Sequence, residues 1–129
     1  MPITMLYAGA LALILLVLSA RVIQARGQQK VYMGDGGNDL VLRRMRGHAN
    51  FAEYVPMTLI LIGLLEFRGM APWVLHALGL TLLLARSLHA YSFGFSSQFM
   101  PGRFGGTVLT WSVLGISAGL CIWKGLAAL

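Results

Sequence analysis

No charged residue precedes Arg21, and the twenty residues before it are almost all apolar. At 1.5 Å per residue a helical run of that length spans about 30 Å, the thickness of a bilayer's hydrocarbon core. In lipid each backbone amide must find its partner inside the structure, and a single apolar run does so as a helix. Arg21 and Arg26 follow the run instead of preceding it, the reverse of a secretory leader. The segment is therefore expected to persist as a transmembrane helix.

Three further apolar stretches follow, and composition agrees with a membrane setting. The chain is 57% hydrophobic and 11% charged, against about 45–50% and about 25% in soluble domains. The expectation is an all-α integral membrane protein, a four-transmembrane-helix bundle. It forms one domain over residues 1–129, with helices at about 4–25, 39–66, 72–93 and 105–124. Asn38 or Asp39 suits an N-cap, and Pro72 suits a first helical position. The segment from Gly27 to Asp39, with its run from Gly34 to Asn38, and the stretch from Ser96 to Gly106, with Pro101-Gly102, read as aqueous loops. Asp35-Gly36-Gly37 lacks the preceding strand and following Gly-Lys-Ser/Thr of a phosphate loop. Gly115 and Gly119 make a small-xxx-small pair suited to close helix contact. Cys121 lies in an apolar run and reads as packing, and three scattered histidines with one cysteine give no metal-ligand spacing.

Ten Lys and Arg against four Asp and Glu give a net charge of +6. Most of the excess falls in the first loop and the start of the second helix, so the positive-inside tendency puts loops 1 and 3 in the cytoplasm and both termini opposite. The excess also fits anionic lipid or an anionic ligand; no nucleic-acid partner is expected.

The uncharged part of helix 2, between Glu53 and Glu66, is only twelve residues. That is too short to cross alone, so the polar half, Arg43 to Pro56, must enter the membrane as well. At 100° per residue Arg43, Arg46, Asn50 and Glu53 fall within an arc of roughly 80°, with Tyr54 at its border and His48 on another face. Arg86, His89 and Phe93 likewise share a face of helix 3. With Arg103 they converge at one membrane depth. Ionisable groups there cost about 2.5–3.5 kcal/mol each and normally pair or line a cavity.

One glutamate cannot neutralise four arginines, so the inventory points to an anionic ligand with a cationic feature. Arginines would fork onto carboxylates, Glu53 would take an ammonium, and Asn50 would both donate and accept. Glutathione matches this inventory; a phospholipid headgroup or another small acid matches it in part. Against it stands a structural role in which Glu53 pairs with Arg46 or Arg86 and Asn50 ties helices together. A noncatalytic trimer holding an anionic lipid or small acid, and a proton path through Glu53 and His89, are the other readings.

The pattern Arg46-x-x-x-Asn50-x-x-Glu53-Tyr54-x-Pro56, with four hydrophobic segments, resembles the membrane-associated proteins in eicosanoid and glutathione metabolism, which include microsomal glutathione transferases and leukotriene C4 synthase. The resemblance implies a homotrimer in a bacterial inner membrane, with glutathione as co-substrate between subunits near the cytoplasmic side. It implies a transferase, with peroxidase activity as a further capacity, joining the glutathione thiolate to a hydrophobic small molecule arriving from the bilayer. Arg46, Asn50, Glu53 and Tyr54 look like the family's glutathione-binding residues, His48 like a contribution to the neighbouring subunit's site, and Arg86 and His89 like the family's pair on helix 3. Arg26 resembles the arginine ending the family's first helix. Arg103 takes the catalytic part, lowering the thiol pKa. Two positions depart from the family: Phe93 replaces a usual tyrosine, and Met100 falls where ungapped spacing places the activating arginine.

Overall fold

The computed structural model describes residues 1–96 and 99–129. It contains four helices: α1 (Pro2–Gln29), α2 (Asp39–Phe67), α3 (Pro72–Gly94) and α4 (Met100–Leu126). All four are long and apolar enough to cross a membrane. Their outward faces carry large apolar side chains such as Leu13, Leu16, Ile60, Trp111 and Ile122, while the buried residues form a thin seam between helices. An apolar exterior is what a bilayer solvates and water does not.

α1 packs on α2 and α3, and α4 on α3 and α2. The shorter diagonal joins α2 to α3, so those two helices carry the centre of the bundle. Leu11, Leu18, Phe51, Ile62, Leu75, Leu82 and Val113 fill that centre.

Several ends follow local rules. Asn38 Oδ1 accepts from the amides of Leu40 and Val41 at 3.0 and 3.1 Å, which makes it the N-cap of α2. Gly36 and Gly37, at φ 59° and 71°, form the turn before it. α1 runs a turn past the expected residue 25, because Lys30 closes it in a left-handed conformation with its amide on Arg26 and Gly27. α2 continues through Pro56 without a break.

α4 differs most from the sequence expectation. It begins at Met100, not near 105, so Pro101 and Gly102 belong to its first turn and Arg103 is helical, not a loop residue. Proline lacks only an amide that a first turn leaves unpaired anyway. Ser97 and Gln98 of the expected loop lie outside the described residues.

The expected Gly115–Gly119 contact is absent from the described fold. A Cβ on either would meet open space, and both lie opposite the buried row Gly102, Gly106, Thr110, Val113 and Ser117. α4 makes its close approach through Gly106 instead. A Cβ there would sit 2.7 Å from the Ala85 carbonyl and 2.9 Å from His89 Cβ.

At the end opposite the polar stripe of α2, Glu66 reaches from α2 to the start of α1. Its carboxylate accepts from the amides of Ile3 and Thr4 at 2.9 and 2.8 Å and from the Thr4 hydroxyl at 2.5 Å. A carboxylate at a helix N-terminus meets both free amides and the positive end of the dipole. Beside it Tyr7 hydrogen-bonds His76 Nδ1 at 3.0 Å, its ring lying where Gly79 leaves room.

Candidate functional site

The chain's polar residues collect where the C-terminal ends of α1 and α3 meet the N-terminal ends of α2 and α4. A cavity of about 440 Å³ opens there between α2, α3 and α4. From α2 it takes Asp39, Arg43, Arg46, Asn50 and Glu53; from α3, His89 and Phe93; from α4, Arg103 and Thr107. The α2 group is the helix stripe read from periodicity. On α4, Arg103, Thr107 and Thr110 form the matching stripe at spacings of four and three.

Arg86 stands behind the wall, fully buried. Its Nη2 donates to Asn50 Oδ1 at 3.0 Å and to His89 Nδ1 at 3.1 Å, and its Nη1 to Thr110 Oγ1 at 3.3 Å. Its Nε is buried without a hydrogen-bond partner among the described residues. Three helices thus converge on one guanidinium through neutral acceptors.

That network fixes the groups facing the cavity. A guanidinium only donates, so His89 Nδ1 must accept, and the ring proton resides on Nε2. The imidazole stacks on Phe93 with centroids 4.6 Å apart, and the Arg103 guanidinium covers the same phenyl ring at 4.8 Å. Where a tyrosine would offer a hydroxyl, Phe93 offers a π face. Asn50, its oxygen held by Arg86, keeps its amide N–H groups for the cavity. Gly47 makes room for this arrangement, since a Cβ there would run into Phe93.

Glu53 and Arg46 are exposed on the cavity side of α2. The acceptor that α2 supplies to Arg86 is Asn50, not Glu53. Glu53 is thereby left facing open space beside three arginines: Arg43, Arg46 and Arg103. Such a surface, with several cations, the carboxylates of Glu53 and, at the start of α2, Asp39, and neutral donors, suits an anion that also carries an amine.

The sequence-derived residues divide into two groups. Arg46, Asn50, Glu53, His89 and Arg103 meet at the cavity, with Arg86 directly behind. Tyr54, half-buried, turns toward Trp111 at a centroid distance of 6.5 Å. His48 and Arg26 lie on the α1 side of α2: His48 Nε2 is 3.1 Å from Ser19 Oγ, and Arg26 Nη2 donates to Met45 Sδ at 3.5 Å. These two do not line this chain's own cavity.

A family model matches residues 4–123, nearly the whole span of the four helices. The chain belongs to the MAPEG family. It is 35% identical over 112 residues to proteins named inner membrane protein YecN from Escherichia coli strain K12 and from Escherichia coli O6:H1 strain CFT073. The match covers 87% of this chain and 84% of each relative. No solved structure matches the chain significantly.

In this MAPEG chain, sequence reasoning missed Thr107 and Thr110. Thr107 lines the cavity, and Thr110 holds Arg86 while bonding the Gly106 carbonyl at 2.7 Å. Both lie on the Arg103 face of α4. Extending the helix back through Pro101 would have shown the stripe.

Proposed function

We propose that the chain is a membrane-bound glutathione-dependent transferase, joining the glutathione thiolate to a hydrophobic electrophile. The observation that carries this reading is the basic cavity with Glu53 left open: arginines for two carboxylates, a carboxylate for one ammonium, and Asn50 for an amide. Arg103 is the thiolate-stabilising residue, since a guanidinium beside a thiol favours its ionised form. The sulfur then forms a bond to the electrophilic carbon, and the leaving group departs with its electron pair. An opening between helices in an apolar exterior suits a second substrate arriving from the bilayer.

The working unit in this reading is a homotrimer in a bacterial inner membrane, with loops 1 and 3 in the cytoplasm. The name of the YecN relatives supports the location, and the first loop's basic residues support the orientation. A multi-subunit site also gives His48 and Arg26 a use, because both stand on the α1 side of α2, away from their own cavity, where a neighbouring subunit would meet them.

The test is glutathione titration of purified protein, followed by calorimetry and by thiolate ultraviolet absorbance, then conjugation of a generic aryl halide. Saturable heat, a thiolate signal and turnover are expected. Arg103→Ala should lose the signal and turnover yet retain much of the binding, whereas Glu53→Ala should lose binding. Absence of saturable heat in the wild type would refute the reading and favour a noncatalytic pocket for another anion.

A further inference from the structure

A second built feature lies on the opposite side of the bundle from the basic cavity. Between α1 and α3 runs a groove of about 320 Å³, walled by Leu13, Ile14 and Val17 from one helix and Ala90, Tyr91 and Phe95 from the other. Leu13 and Val17 continue at the same helical spacing into Arg21, and Ser87 and Tyr91 continue into Phe95. Ser87 turns its hydroxyl onto the Leu83 carbonyl at 2.8 Å, so its hydrogen bond is satisfied within α3. The groove is apolar until it reaches Arg21.

Arg21 stands beside Phe95, at the end of the groove toward the C-termini of α1 and α3. The guanidinium lies over the Phe95 ring, 4.4 Å from the centroid. Its Nε and Nη2 donate to the Gly94 carbonyl at 3.0 and 2.9 Å, and its Nη1 to Gln24 Oε1 at 2.7 Å. A guanidinium carries five N–H groups, so one on each terminal nitrogen remains for a ligand. Behind it the buried Arg44 donates to the Arg21 carbonyl at 2.9 Å and to Gln24 Oε1 at 3.4 Å, and no carboxylate accepts from either arginine among the described residues. Two cations thus stand at one end of a greasy channel with their charge uncompensated.

The dimensions select the occupant. Leu13 to Arg21 is eight residues, a rise of about 12 Å, against about 15 Å for one leaflet of a hydrocarbon core about 30 Å thick. The cation therefore falls at headgroup depth when the groove lies at acyl-chain depth. We propose that this groove binds an anionic phospholipid, with one acyl chain along Leu13, Val17 and Tyr91 and the phosphate on Arg21. The Gly94 contact fixes the guanidinium in place, and Arg44 strengthens the local positive potential. A zwitterionic lipid gains the chain contact but brings its own cation to the same spot.

Native mass spectrometry of the detergent-purified protein, titrated with dioleoyl phosphatidylglycerol or dioleoyl phosphatidylcholine, tests this. Wild type should retain the anionic lipid about five-fold more strongly, the contribution of roughly one interfacial arginine. Arg21→Gln should erase the preference, and Arg21→Lys should keep most of it. Ser87→Phe, which fills the groove midway and leaves the Gly94 contact alone, should weaken retention of both lipids. Arg68→Gln, at the other end of the bundle, should change nothing, and excess inorganic phosphate should not displace the lipid. Equal retention of the two lipids by wild type, unchanged retention in Ser87→Phe, or displacement by inorganic phosphate would overturn the proposal. A second copy of the chain seated on this face would exclude lipid and give the first of these results.

Discussion

Replacing Arg86 with methionine removes the one side chain that α2, α3 and α4 share. Three side-chain hydrogen bonds go with it, to Asn50, His89 and Thr110. Inside membrane proteins such bonds average about 0.6 kcal/mol and reach about 1.7, so their loss amounts to about 2 kcal/mol. His89 is buried, and its stranded Nδ1 adds about 1 kcal/mol at the low end of the cost of an unsatisfied acceptor. Methionine fills much of the volume and removes a desolvated charge, which offsets part of this. The expected net loss is about 2 kcal/mol by reversible unfolding in mixed micelles. Arg86→Lys should fall between, since an ammonium lacks the fork that reaches three acceptors at once. A double-mutant cycle with Asn50→Leu should give a coupling of about 0.6–1.7 kcal/mol. If Arg86→Met is as stable as wild type and uncoupled from Asn50, the guanidinium does not organise this wall, and the account of how the cavity is held is wrong.

Other perturbations probe separate parts of the bundle. Gly106→Ala forces a methyl against the Ala85 carbonyl and should cost about 1–3 kcal/mol as overpacking, whereas Gly115→Ala, facing open space, should stabilise α4 by about 0.5–1 kcal/mol; micelle unfolding of the pair reads the contrast. Asn38→Ala removes the cap of α2 and should cost about 1 kcal/mol, with faster hydrogen exchange at Leu40 and Val41. Glu66→Ala should free the amides of Ile3 and Thr4, seen as loss of exchange protection confined to the start of α1, and Glu66→Gln should restore part of it because an amide oxygen still accepts.

What the sequence reveals here is whatever repeats at short range. Four spans and the face shared by Arg46, Asn50 and Glu53 follow from length and a 100° step, because a span depends on one continuous run and the face on neighbours within two turns. α4 is obscured for the opposite reason. Pro101 and Gly102 look like breakers locally, yet one fits a first helical turn and the other lies in the buried row that α4 turns toward α3. Arg86 was legible as a site residue, but not its partner: Glu53 is the obvious counterion by charge, and Asn50 wins by position. Gly115 and Gly119 carry the right spacing on a face turned away from this chain's other helices, which only the packing decides. Glu66 gave no hint of its task, since its acceptor role joins residues 62 and 63 positions apart.

That last separation has a consequence for synthesis. α1 is made first, yet the amides of Ile3 and Thr4 acquire the carboxylate only after the chain has been translated through the end of α2. Until then the first turn must borrow its acceptors from water or lipid headgroups at the membrane surface. The bundle's oldest end is thus among its later parts to settle, and insertion of α2 is also the event that seats α1.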